Sequence, residues 1–224
     1  MLAREHMLKD NFIFLFIALI VFLAVLPIGN SLHIVPDGVT WLIAITSLLL
    51  VGVMSLRDAG WRFHAGIALV VAGIAASAYD TLTGSTTADL LSRLALFAFL
   101  LLGINNALRQ VVYGVEMNAN RLYGAVCVYL MIGLLWSMMF MILQDIDPNS
   151  FGGNLASNPE EAQVDWLYYS FVTLTTLGYG DILPLSAPAR ALAYVEAIVG
   201  VFYMAMLVAA LVSGYITQVQ SDRQ

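Results

Sequence analysis

The sequence predicts an all-α integral membrane protein with six transmembrane helices and one re-entrant segment that enters the bilayer without crossing it. Three observations predict it. The 224 residues are 61% hydrophobic and 11% charged, whereas soluble domains carry roughly a quarter charged residues. The apolar residues fall in six blocks, about 11–29, 39–56, 62–79, 90–108, 121–143 and 188–216, each near the ~20 residues that a spanning helix needs. A seventh run, WLYYSFVTLTTL at 166–177, is too short to span and leads into GYGDILP. That stretch resists helix formation, because glycine is costly to fix and proline cannot continue a helix.

The first block follows Arg4 and Lys9 and so imitates a secretion signal. Its apolar run is longer than a signal core, however, and VLPIGNSLH offers no small-residue cleavage site, so it is retained as the first helix. Basic residues then set the orientation. Arg4, Lys9, Arg57, Arg62, Arg109, Arg121 and Arg223 share one side of a six-span path, leaving only Arg93 and Arg190 of the nine Lys and Arg residues. Both termini of this multi-pass, lipid-embedded chain are therefore expected in the cytoplasm. The opposite loops carry Asp37, Asp80, Asp89, Asp145, Asp147, Glu160, Glu161, Asp165 and Asp181; this acidic set either would concentrate cations at one mouth or reflects only that outer loops lack basic residues, the two readings being equally compatible. Segment 105–120, NNALRQVVYGVEMNAN, mixes apolar residues with Arg109 and Glu116; it reads as an interfacial helix closing a first domain, 1–120, with a plain connector equally compatible. Cys127, the single cysteine, stands in an apolar block and reads as a packing thiol. The net charge of −6 argues against nucleic acid as a partner.

Between the fifth and sixth blocks, QDIDPNSFGGNLASNPEEAQVD is polar and rich in Gly, Pro and Asn, the composition of a surface loop. Residues 164–184 should then enter as a short helix and leave as extended chain. Irregular backbone at membrane depth is tolerated only inside protein or along a water-filled path. Carbonyls that find no hydrogen-bond donor there can bind cations instead. Gly178 and Gly180 permit positive φ and could turn successive carbonyls toward one axis. One strand supplies one wall, so several copies must surround that axis.

TTLGYGD, 175–181, resembles the selectivity-filter signature of potassium channels, and 121–217 resembles their pore domain of outer helix, turret, pore helix, filter and inner helix. The resemblance implies a homotetramer in which each subunit contributes one loop. It implies K⁺ sites made by the carbonyls of Thr176, Leu177, Gly178 and Tyr179 and the Thr176 hydroxyl, closed by Gly180, with no cofactor other than the K⁺ ions themselves. Leu177 stands where the family usually has valine, a change expected to leave the carbonyl in place. Thr175, Asp181, Tyr168 and Tyr169 are the expected filter supports, the two tyrosines through hydroxyl bonds to Tyr179 or Asp181. Many relatives carry a pore-helix glutamate where this chain has Val172; Glu196, an acid inside the last span, is the expected substitute. A pore-lining charge is the competing role for it. Gly200 matches the family's inner-helix bend, with close helix packing equally compatible, and Ala205, Ala209, Ser213 and Gly214 suit a narrow crossing or gate.

The layout is that of a six-span channel, yet the fourth span carries Arg93 and then no basic residue before Arg109. A voltage sensor needs regularly spaced charges. The expectation is a sensor-like domain without sensor charges and weak or absent voltage dependence. The short tail, 218–224, is expected to hold no ligand-binding domain. The leading expectation is passive, potassium-selective conduction. The alternatives are a non-conducting or modulatory subunit, a less selective cation channel, or a transporter subunit. No nucleophile–base pair, paired histidine or phosphate loop suggests an enzyme. Short loops without N-x-[ST] acceptors suggest a bacterial cell membrane.

Overall fold

In apolar surroundings a backbone can satisfy its polar groups only internally, and the long apolar blocks accordingly form helices. The computed structural model describes residues 11–32, 52, 60–84, 86–113, 119–156 and 159–221. Their elements are α1 (Asn11–Leu32), α2 (Trp61–Thr83), α3 (Thr86–Tyr113), α4 (Ala119–Ile146), β1 (Phe151–Gly153), α5 (Pro159–Leu174), β2 (Ile182–Pro184) and α6 (Ala187–Ser221). The expected second span, 39–56, lies outside the described residues except for Gly52, as do 114–118 and the tail 222–224. Among the described residues four stretches are long and apolar enough to cross a membrane: Trp61–Tyr79, Leu90–Val111, Asn120–Ile146 and Ala187–Ala210. The first block adds a shorter apolar stretch, Phe12–Ala24, within α1.

The chain divides into two units, Met1–Tyr113 with Asn120–Leu135, and Gly114–Ala119 with Trp136–Gln224. In the first, α1 buries Phe12, Leu15, Leu19 and Phe22, a helical three-and-four spacing, and exposes Phe14, Ile17, Ile20 and Val21. Its buried face meets the start of α4. The Phe16 and Tyr123 rings lie 5.4 Å apart, and the Cys127 thiol donates to the Phe12 carbonyl at 3.6 Å, in keeping with a packing thiol. Gly124 leaves room for the Phe12 ring, which a methyl there would meet at 2.9 Å. Helices α2 and α3 lie against each other, with Phe99 buried among Phe63, Leu69, Val70, Leu96 and Leu102. Gly84, at φ +62°, ends α2 in the left-handed conformation that helix stops favour.

Three local expectations are corrected. Residues 105–113 are not part of a separate interfacial helix but prolong α3, since no Gly or Pro interrupts them. Arg109 Nε there reaches back one turn to Asn105 Oδ1 at 3.1 Å. The loop after α4 is not wholly irregular: Phe151–Gly153 pairs antiparallel with Ile182–Pro184, Phe151 opposite Pro184 and Gly153 opposite Ile182. Helix α5 also starts at Pro159, five residues before the expected entry at 164. Proline is preorganised for a first helical turn, and the two glutamates behind it suit a helix N-terminus.

Large apolar side chains stay exposed along α6, among them Val195, Ile198, Val201, Phe202, Met206 and Val208, and along α2 at Val71 and Ile74. Contiguous exposure of this kind marks surfaces meant for lipid or another chain rather than water. The protein is a membrane protein.

Candidate functional site

Helix α5 has 16 residues, about 24 Å at 1.5 Å per residue, short of the ~30 Å hydrocarbon core. It stops at Leu174, and the chain turns back on it. Thr176 N–H donates to Thr173 O at 2.9 Å, while Leu177 N–H and Gly178 N–H share Val172 O at 2.9 and 3.2 Å. The Thr175 hydroxyl donates to the Phe171 carbonyl at 2.6 Å. In a trans peptide the N–H and the preceding carbonyl point opposite ways. Amides turned onto α5 therefore turn the carbonyls of Thr175, Thr176 and Leu177 away from it.

The dihedrals extend that arrangement. Thr176, Gly178 and Gly180 have φ of +59°, +58° and +76°, alternating with residues of ordinary sign. Such alternation rotates successive peptide planes the same way, whereas a β-strand reverses them at each residue. A β-branched residue at positive φ is strained, and Thr176 is held there by the amide bonds on either side of it. Among the described residues no hydrogen bond reaches the carbonyls of Thr176, Leu177, Gly178 or Tyr179. No cluster of His, Cys, Asp or Glu among those residues could hold a metal ion.

The side chains around this segment divide the tasks that the sequence assigned to them jointly. Tyr168 donates its hydroxyl to Asp181 Oδ2 at 2.7 Å, and its ring stacks on Tyr179 with centroids 6.4 Å apart. That bond holds the Asp181 carboxyl below its usual range and pushes the Tyr168 phenol up to about 12. Tyr169 does not join it, contrary to expectation. One residue further round the helix, it is buried with its ring 4.8 Å from Phe140 and 5.7 Å from Phe151, and its hydroxyl meets Thr173. Adjacent residues on a helix face directions about 100° apart, so both tyrosines could not reach one aspartate.

Glu196, fully buried, accepts the Ser170 hydroxyl at 2.6 Å through Oε1. Its Oε2 has no partner among the described residues. One turn along α6, a methyl at Gly200 would overlap the Leu174 carbonyl. Glycine here lets α6 close onto the end of α5, a reason that requires no bend, and α6 runs unbroken through it. Ala205, Ala209 and Ser213 lie exposed further along α6. The structure does not bring them to the 175–181 segment, and Gly214 continues the same helix.

Sequence reasoning missed the strap across this segment. Asn154 N–H donates to Asp181 O at 2.9 Å, and Leu185 and Ser186 N–H donate to Ser150 O at 2.8 and 3.2 Å. The glycine pair in NSFGGN is the one available hint, since strand glycines mark close backbone approach.

Residues 124–216 match a family model described as an ion channel. Over 79 residues the chain is 33% identical to the potassium channel protein Kcv of Paramecium bursaria Chlorella virus 1, a match covering 34% of this chain and 83% of the viral protein. The chain belongs to the potassium channel family. No solved structure matches it. This is an ion-channel family and not a family of enzymes. The matched stretch takes in most of α4, β1, α5, the 175–181 segment, β2 and most of α6. As a potassium channel family member, the chain thus carries its channel part in the region just described, and α1 to α3 lie outside the residues matched by the family model.

Proposed function

We propose that the protein is a potassium-selective pore of four identical subunits, conducting passively across a bacterial cell membrane. Residues 176–180 form its selectivity filter, and both termini face the cytoplasm. The observation that carries this reading is the alternating backbone of Thr176 to Gly180, with the amides of Thr176, Leu177 and Gly178 on α5 and the carbonyls of 176–179 unpartnered among the described residues. Four such strands facing one axis would replace the hydration shell of a potassium ion with carbonyl oxygens. The negative end of the α5 dipole stands at the entry to this segment and adds to the attraction for cations. Leu177 would contribute its carbonyl, and its exposed side chain would pack against the neighbouring subunit. Tyr168 and Asp181 would brace the outer filter, and Ser170 with Glu196 its back. The fourth span supports a pore with little or no voltage dependence. Arg93 and Arg109 are the only basic residues of α3, and a charge crossing the whole field is worth only ~2.3 kcal/mol per 100 mV.

Reconstituted liposomes holding a potassium gradient test the proposal. A flux far larger for K⁺ than for Na⁺, blocked by barium, is expected. Equal K⁺ and Na⁺ flux would replace it with a less selective pore, and no flux from assembled protein with a modulatory subunit.

A further inference from the structure

The strap across the outer end of the filter has its own chemistry. Gly153 sits at φ +104°, a conformation that L side chains rarely adopt. Independently, a methyl at Gly153 would run into the main-chain carbonyl of Asp181. That same carbonyl accepts Asn154 N–H, and the pairing of Gly153 with Ile182 continues the contact into a ladder. The residue held this way is the one whose carboxylate takes the Tyr168 hydroxyl. At its other end β1 is anchored by Phe151, buried with its ring 4.9 Å from Trp166 and 5.6 Å from Phe140. Ser150 closes the base: its carbonyl takes two amides at the start of α6, and its hydroxyl joins Asp147 and Ser186.

We propose that β1 is a latch that fixes Asp181 from outside the filter, with Gly153 as its positioning residue, so that the turret sets how long the filter stays conductive. The proposal rests on the potassium-pore reading. Asp181 is clasped from two sides, by α5 through its carboxylate and by β1 through its main chain. If the β1 side shifts, the Tyr168 bond loses its geometry and the outermost carbonyls lose their fixed position. Potassium in the filter holds those carbonyls from within, so a weakened latch should show most when external potassium is low.

Gly152 supplies a matched control. It lies in the same strand, but a methyl there would meet only the flexible Leu185 Cδ1, at 2.8 Å. The experiment records K⁺ current through wild type, Gly153→Ala and Gly152→Ala in planar bilayers at high and low external K⁺. Gly153→Ala should speed the time-dependent loss of current about tenfold at low K⁺, the scale of one overpacked contact. High K⁺ should restore the wild-type rate, and Gly152→Ala should follow wild type in both solutions. A defect of folding alone would lower the yield of channels without any dependence on external K⁺. If Gly153→Ala gives no folded tetramer, Ser150→Ala replaces it, loosening the base of the latch while leaving the backbone intact. It is expected to speed the decay in the same direction and with the same K⁺ dependence, but less. Decay in Gly153→Ala equal to that in Gly152→Ala, or in Ser150→Ala equal to wild type, overturns the latch while wild-type selectivity leaves the pore reading intact. A wild-type protein without K⁺-selective current overturns the pore reading itself.

Discussion

Two helix pairs of this chain share an apolar composition and behave differently. Between α2 and α3 the contacts are mostly side chains, with Phe99 at the centre and Gly73 close to Ala95. A polar bridge also joins them, Arg62 donating to Asn106 Oδ1 at 3.3 Å. Between α5 and α6 the backbone itself is involved: Gly200 abuts the Leu174 carbonyl, and a buried serine meets a buried carboxyl. The difference follows from where the helices end. Helices α2 and α3 run the length of a span and satisfy their own backbone, so any well-shaped apolar surface can pack them. Helix α5 ends short and hands on an irregular strand, so every group around that end has to be supported by a specific neighbour.

Substitutions can break or sharpen this contrast, beginning with the filter backbone. A methyl at Gly178 would meet nothing within 4 Å, so Gly178→Ala isolates the cost of positive φ. At about 1 kcal/mol per subunit and four subunits, K⁺ flux into liposomes should fall roughly a thousandfold. Near-normal flux would mean that the alternating backbone does not carry conduction. Gly200→Ala comes next. Forcing a methyl against the Leu174 carbonyl should cost about 1–3 kcal/mol per subunit, read as a lower melting temperature of the tetramer. A change in open probability at unchanged stability would instead assign Gly200 to a bend.

Ser170→Ala should cost about 1–3 kcal/mol, since it leaves a fully buried carboxyl with neither oxygen bonded. Glu196→Gln keeps an acceptor for Ser170 and should preserve both stability and selectivity. Reduced single-channel conductance in that variant, with selectivity intact, would make Glu196 a lining charge. Between α2 and α3, Gly73→Ala, at ordinary contact distance from Ala95, should change little.

The exposed brace comes after these, and its sign can be worked out from pH. The Asp181 pKa is lowered from 3.8 by the Tyr168 hydroxyl, so its contribution is complete above 3.8 and is lost as pH falls through the lowered value. Tyr168 is raised from 10.0 to about 12, so its contribution is complete below 10.0 and is lost as pH rises through about 12. Filter lifetime should therefore be flat from pH 5 to 9, shorten in strong acid, and lose that acid dependence in Tyr168→Phe. The smallest effect belongs to the first unit: Arg93→Gln should leave the conductance–voltage curve unchanged, and a steep curve abolished by it would assign α3 a sensing role.

Much of this division can be read from the residues themselves. The spans at 62–79, 90–108, 121–143 and 188–216 are legible because twenty apolar residues in a row have few other stable fates. GYGD is legible because two glycines around a tyrosine at the end of a short apolar run answer a local backbone requirement. Glu196 is visible as an anomaly, an acid in an apolar helix, although its partner Ser170 is 26 residues away and is one serine among many. Tyr168 and Tyr169 look alike in sequence, and only the direction in which each leaves α5 separates a partner of Asp181 and Tyr179 from a buried aromatic ring.

The sequence by itself determined that this chain lies in a membrane, that a short apolar helix follows the fifth apolar block, and that the backbone after it departs from helix. These are consequences of local composition, to which neighbours in the chain suffice. The tertiary structure alone decided that β1 clasps Asp181, that Gly200 serves the Leu174 carbonyl, and that Glu196 pairs with Ser170. Each joins residues far apart in the chain through a single contact, and a one-dimensional pattern carries no trace of which distant partner completes it.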